Sequence, residues 1–285
     1  MRRPPVAASV LALALAPLVD ARPAQDTVAL EAAWGPIVSS TYDLHQKPDV
    51  ARALGAGPAT TRAEYPLEAL RALLPPADVL AQDDAEVVWE LDVERVLPFL
   101  AQLHPGVTKR LRHAHVPEDL AEILREQGDD PAGWTPPAVE GGRATLLSKT
   151  EDELAVLLRV HVEFELIPER LYFLPAQFEG HLVWDRAADR ARCFHLALPP
   201  RDTNYDINYV GAADIGYLPR MLVATKGAEP AGADAEPARQ RMRESFYPAL
   251  RIRWRSLAEA QARAEEDGRR LHVIQLFGTF DDESC

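Results

Sequence analysis

Cysteine is almost missing from this chain: among 285 residues there are two, Cys193 and Cys285. Two thiols cannot form a disulfide framework, so the fold must rest on a hydrophobic core. That core is affordable in composition, because 47% of the residues are hydrophobic. Positive charge is in deficit, with 31 Lys and Arg against 44 Asp and Glu and a net charge of −13. Such a balance excludes nucleic acid as the main partner and suits a self-repelling, soluble surface. No repeat of 20–50 residues is visible, which excludes solenoids and propellers. No apolar run reaches the roughly 20 residues that a membrane-spanning helix needs.

The longest apolar run, residues 6–19, follows Arg2-Arg3 and is broken by Pro17. Val19-Asp20-Ala21 then places small residues where a signal peptidase inspects them. Residues 1–21 therefore read as a signal peptide, and the protein as exported, periplasmic or secreted. Contact with a membrane follows only if this segment stays uncleaved as an anchor.

Residues 22–150 read as a mainly helical region. Leu67-Glu68-Ala69-Leu70-Arg71-Ala72-Leu73-Leu74 has helical spacing and stops at Pro75-Pro76. Residues 86–91 read as a strand, and Asp92 as the N-cap of a helix over 93–103 that Pro98 must bend or shorten. Pro117-Glu118-Asp119 opens a further helix that Gly128 closes. Residues 131–142 form a Pro/Gly-rich loop and a candidate boundary.

Residues 151–240 read as an antiparallel β domain. Leu158, Val160, Val162, Phe164 and Leu166 alternate with polar residues, which predicts a strand buried on one face. His161, Glu163 and Glu165 then share the solvated face. Three such side chains could also hold a metal, and that reading stays open. The segments 180–184 and 193–198 flank a polar turn and predict a long hairpin. Cys193, in an apolar strand, reads as a small buried hydrophobe. His113 and His115 sit in a basic stretch with Lys109, Arg110 and Arg112, which reads as a solvated patch.

The last 45 residues, 241–285, predict a helix from Ser256, a buried strand over 271–278, and an acidic loop that runs into a cysteine, Asp281-Asp282-Glu283-Ser284-Cys285. Helix, strand, loop and cysteine are the opening half of a thioredoxin-like α/β unit. The expected fold is thus α+β: a mainly helical N-terminal region, a central antiparallel β domain and an incomplete thioredoxin-like unit.

These final residues resemble selenoprotein N, a family with a Ser-Cys-selenocysteine-Gly motif after such a strand and acidic loop. Three further segments agree with it: Phe173-Leu174-Pro175-Ala176-Gln177-Phe178-Glu179-Gly180-His181, Ala213-Asp214-Ile215-Gly216-Tyr217-Leu218-Pro219-Arg220-Met221, and Tyr247-Pro248. The resemblance runs from about residue 161 to Cys285. It implies a selenium-dependent thiol–disulfide oxidoreductase, with Cys285 as the catalytic residue of this chain and selenocysteine expected after it. It further implies a frame closed at the UGA codon that encodes selenocysteine, and a weak or inactive product as written. Protein thiols or disulfides would be the redox partners, with no organic cofactor. The Asp-x-Asp-x-Asp-Gly spacing of a calcium loop is absent, so calcium sensing is not implied. The alternative is a secreted, non-catalytic β-domain binding module. Gly180 and Gly216 have no chemistry of their own and read as positions of tight backbone geometry.

Overall fold

A computed structural model describes residues 27–55, 59–82, 86–109, 141–209 and 212–271, together with 122, 125, 126, 128 and 273. The strands in chain order are β1 (Thr27–Trp34), β2 (Ser39–Ser40), β3 (Ala59–Pro66), β4 (Val88–Leu91), β5 (Val107–Thr108), β6 (Gly141–Lys149), β7 (Glu153–His161), β8 (Glu163–Ile167), β9 (Leu171–Pro175), β10 (Phe178–Asp185), β11 (Arg190–Ala197), β12 (Tyr205–Tyr209), β13 (Ala212–Tyr217) and β14 (Met221–Thr225). The helices used below are α1 (Pro48–Leu54), α2 (Leu67–Arg71), α3 (Ala77–Leu80), α4 (Leu97–Leu100), α5 (Glu236–Phe246) and α6 (Leu257–Asp267).

The strands form two antiparallel sheets, in the orders β3-β1-β14-β11-β10-β7-β6-β4 and β2-β13-β12-β9-β8-β5. The sheets face each other across one core. Phe178, Leu182 and Phe194 come from the first sheet; Phe164, Phe173, Tyr205 and Ile207 come from the second. The Trp34 ring lies 5.0 Å from Phe173 across this seam, a tilted aromatic contact. The chain changes sheet twice within a short stretch: at Val162, between β7 and β8, and at Ala176 and Gln177, between β9 and β10. Such crossings are how packed sheets make their corners. All three residues are buried.

The outer face of the larger sheet carries a third layer. Ala238 and Met242 of α5 pack on Leu157 of β7. This helix corrects one expectation. β7 is not half solvated: from Leu154 to His161 every residue is buried, because the core covers one face and α5 lies against the other. His161 and Glu163 are buried as well, at 5% and 0% exposure, so they do not form a solvated face.

The mainly helical reading of residues 22–150 is also corrected. The described helices there are short, and β1, β3, β4 and β6 supply both edges of the larger sheet. Every residue of β1 pairs with β3, and Leu30 to Trp34 pair with β14. These strands are held by partners far away in sequence, which is why Thr27-Val28-Ala29-Leu30-Glu31-Ala32-Ala33-Trp34, with its helix-forming composition, is extended here. A boundary at 150 therefore divides one sheet. Other local signals hold. Asp92 accepts a hydrogen bond from Glu94 N at 3.1 Å, and the helix it caps breaks before Pro98, which enters the first turn of α4. The hairpin β10–β11 runs in register from Glu179↔Ala197 to Asp185↔Arg190 with one bulge.

The C-terminal helix is present as α6. Ser256 caps it through a reciprocal capping box with Glu259, and Gly268 closes it in the left-handed conformation. It buries none of its residues, and Leu257 and Trp254 are exposed. The strand expected over 271–278 falls outside the described residues apart from Leu271 and Val273, which are exposed. The signal-peptide segment, the helix expected from Pro117, the 131–142 loop apart from residues 141 and 142, and His113 and His115 also lie outside them. No described helix is long and apolar enough to cross a membrane.

Candidate functional site

Cys285, the expected catalytic residue, lies outside the described residues, as does the acidic loop before it. What the structure does describe is how the three segments that carry the resemblance meet. Ala176 N donates to Asn204 O at 2.8 Å, and Asn204 N donates to Gly216 O at 2.9 Å. The Asn204 side chain donates to Leu218 O at 2.8 Å and accepts from Leu218 N at 2.8 Å. Asn204 is buried and has its side-chain amide committed on both ends. It therefore ties the first segment to the second.

Gln177 ties the first segment to the third. It stands at the sheet corner, fully buried, accepting from Arg159 Nε at 2.5 Å and donating to the Tyr247 hydroxyl at 2.8 Å. Arg159 is the largest fully buried side chain of the described residues. Its guanidinium lies 3.8 Å from Glu179 and over the Phe246 ring, 5.9 Å from the centroid. Glu179 also accepts from Arg239 of α5 at 2.5 Å. Burial, and then the charge of Arg201, pull the Arg159 pKa down to about 10, which still leaves it charged at neutral pH. A buried cation needs such partners, because desolvation otherwise disfavours it. Residues 176–179, 204, 216–218 and 247 thus form one hydrogen-bonded corner. At Tyr247 the chain leaves it toward α6 and the segment that ends in Cys285.

Asp214, in the second segment, is buried and accepts from Tyr42 N and Leu44 N, each at 2.7 Å. It organises the turn ahead of α1. Sequence reasoning found these segments but not their joint work, because Asn204, the link, lies outside all three.

A second cluster occupies the outer face of the larger sheet beside α5. His181 and His195 stack with ring centroids 6.0 Å apart, and Cys193 Sγ lies 3.4 Å from His181 Nε2. Cys193 is a free thiol and half-buried. It sits on the face opposite the core residues Phe194 and Leu196, which corrects its reading as a small buried hydrophobe. Burial pushes its thiol pKa up, so it is not an activated nucleophile. Among the described residues no group of three or more His, Cys, Asp or Glu is placed to hold a metal ion. His161 and Glu163 belong to different sheets.

Burial, followed by His195 and Arg239, pushes His181 down to about 4, and burial also lowers His195 and His104. The sign follows directly. Between pH 6.5 and about 4 the unfolded chain takes up protons that the folded chain refuses, so stability is lost as pH falls through that window. Chemical denaturation at pH 7, 5.5 and 4.5 should show a falling midpoint, and His181→Asn should flatten the fall. An unchanged slope in that variant would remove His181 from the account.

Three curated selenoprotein N proteins match this chain. Those of Danio rerio and Homo sapiens are each 27% identical over 192 residues, covering 52% of this chain and 34% and 32% of theirs. That of Mus musculus matches at the same identity over 34% of its length. The chain is selenoprotein N-like over that stretch and spans about a third of the length of these relatives. No family model and no solved structure matches it.

Proposed function

We propose that this protein serves thiol–disulfide exchange of the selenoprotein N type, with the two-sheet body as the scaffold and Cys285 in the redox pair. The observation that supports this most is the corner at Gln177. The separate segments that resemble selenoprotein N are one hydrogen-bonded unit in space, and it holds the root of the segment carrying Cys285. A corner shared by these segments, joined through Asn204 and Gln177, supports reading them as one unit.

In the proposed reaction a selenolate, at a selenocysteine following Cys285, attacks one sulfur of a protein disulfide. A selenium–sulfur bond forms, and the other substrate sulfur leaves as a thiolate. The Cys285 thiolate then attacks the selenium–sulfur link and releases the second substrate thiol. The protein ends as a selenosulfide and needs an external dithiol to be reduced again. A selenol is ionised at neutral pH, whereas a thiol with a pKa near 8.5 is only about 3% ionised at pH 7.

Reduction of a protein disulfide by a dithiol, measured with three forms, tests the reading. The chain as written should be slow. A form continued after Cys285 with Cys-Gly should be faster, and one continued with selenocysteine-Gly faster again by about tenfold or more, given the ionisation difference. Cys285→Ser should abolish the gain in both continued forms. Equal rates in all forms, or no activity in any, refute the redox assignment.

A further inference from the structure

Between the end of β1, α1 and residues 102–104 lies a cavity of about 340 Å³. We propose that it is a binding site for a small, uncharged, ring-bearing molecule. Its walls include Trp34, Ile37, Leu54 and Leu103. Among the described residues no Asp, Glu, Lys or Arg lines it, in a chain where 26% of residues are charged. A ligand with a net charge would lose its hydration there and find no counter-charge.

Of the polar side chains at the walls, Gln102, Thr61 and His104 are already committed to the protein, and His45 Nδ1 lies 3.3 Å from Ser40 Oγ. Gln102 donates to Leu30 O at 3.3 Å and to Thr61 Oγ1 at 3.1 Å, and accepts from the Tyr65 hydroxyl at 3.1 Å. His104 accepts from Gly106 N at 3.0 Å, and its other nitrogen lies 3.1 Å from Ala53 O. These two bonds fix the ring as the neutral tautomer with the proton on Nε2, and burial holds it neutral. Gln102 and His104 thus offer a phosphate, carboxylate or ammonium group no strong partner, and recognition rests mainly on shape and dispersion.

The aromatic wall is rigid before any ligand arrives. The Trp34 ring packs against Phe173, Phe164 and His104, with centroids 5.0, 6.0 and 6.3 Å away. A preformed flat wall favours a flat ligand, because little ordering remains to be done on binding. The volume is at the small end of ligand sites, which suits one or two fused rings and excludes a nucleotide or a long acyl chain. Within the two-sheet body, the large hydrophobic side chains exposed among the described residues are Val38 and Tyr42, at 63% and 71%, both on the segment that supplies Ile37 and His45 to the walls.

Titration of the full chain with 2-naphthol and with 2-naphthoate, which share a ring system and differ in charge, tests the site. 2-Naphthol should bind saturably at one site, with nuclear Overhauser contacts to the Trp34 ring, and 2-naphthoate at least tenfold more weakly. Ala51→Trp, placed on α1 to fill the cavity, and Thr61→Phe, filling it from β3, should each weaken 2-naphthol at least tenfold while the melting temperature stays close to that of the unaltered chain. Equal binding of both probes, contacts to other tryptophans only, or no saturable binding overturns the proposal. Unchanged binding in either folded variant does the same, and the Overhauser contacts decide the matter should both variants fail to fold.

Discussion

Alanine at Arg159 is expected to lower the free energy of unfolding by about 3–5 kcal/mol, the range for breaking a buried charged contact by removing one partner. The residue is 1% exposed, so loss of its side chain leaves a void as well as unmatched groups. Gln177 Oε1 loses the Arg159 donor, and Glu179 keeps Arg239 as its cationic neighbour. Shape and charge can be separated. The double change Arg159→Met, Gln177→Leu fills the volume and removes the orphaned amide, so it should recover a good part of the loss, as hydrophobic replacements of buried polar sets often do. It should not recover the tether, because the double change removes the Gln177 amide that donates to the Tyr247 hydroxyl, an amide that Arg159→Ala alone leaves in place. Limited proteolysis after residue 247 should therefore speed up in the double variant, even where its melting curve has returned. A single Arg159→Ala variant that melts within about 0.5 kcal/mol of the unaltered chain, the range of ordinary surface changes, would show that the corner is not what holds the body together.

The same corner shows what was legible in the sequence and what was not. The β10–β11 hairpin was legible because its signal is local: alternation, a polar turn, and a partner a few residues away. β7 was legible as a strand but not in its burial. Arg159 and His161 look like a solvent face, yet both are buried, and the Arg159 guanidinium lies over Phe246 of α5, whose arrival some 80 residues later no local pattern announces. β1 and β3 were misread for the same reason. β1 pairs with β14, and that contact overrides the helical preference of its alanines and glutamate. Of the candidate site, the segments around Gln177, Gly216 and Tyr247 were visible as blocks. Asn204, which joins two of them, gave no signal, because a single asparagine in a loop is ordinary. The two glycines were read correctly as positions of tight geometry, although the cause is close approach of neighbouring strands and not a left-handed backbone.

Gly216→Ala is the second large effect. A Cβ at this position would stand 2.2 Å from Ser39 O and 2.2 Å from the Tyr205 hydroxyl oxygen, both far inside contact distance. Tyr205 pairs with Gly216 across β12 and β13, and its ring lies over the space a side chain would take. The ring cannot swing away at little cost. It is fully buried, stacks on Phe173 with centroids 5.5 Å apart, and donates from its hydroxyl to Ser39 O at 3.1 Å. The softer neighbour is β2, two residues long at the edge of its sheet. The added methyl should therefore push β2 off, at about 3 kcal/mol, the upper part of the usual range for overpacking. The damage should be directional. Amide exchange should accelerate over residues 38–44, where Asp214 holds Tyr42 N and Leu44 N, while β7 and β10 keep their protection. Since residues 35–37 and His45 form part of the cavity beside Trp34, 2-naphthol affinity should fall in the same variant. Trimming the ring with Tyr205→Leu should restore only part of the stability, because the clash with the Ser39 carbonyl belongs to the backbone and persists. Full recovery in that double variant would place the strain in the ring alone, and would contradict the expectation that the edge strand is what gives way.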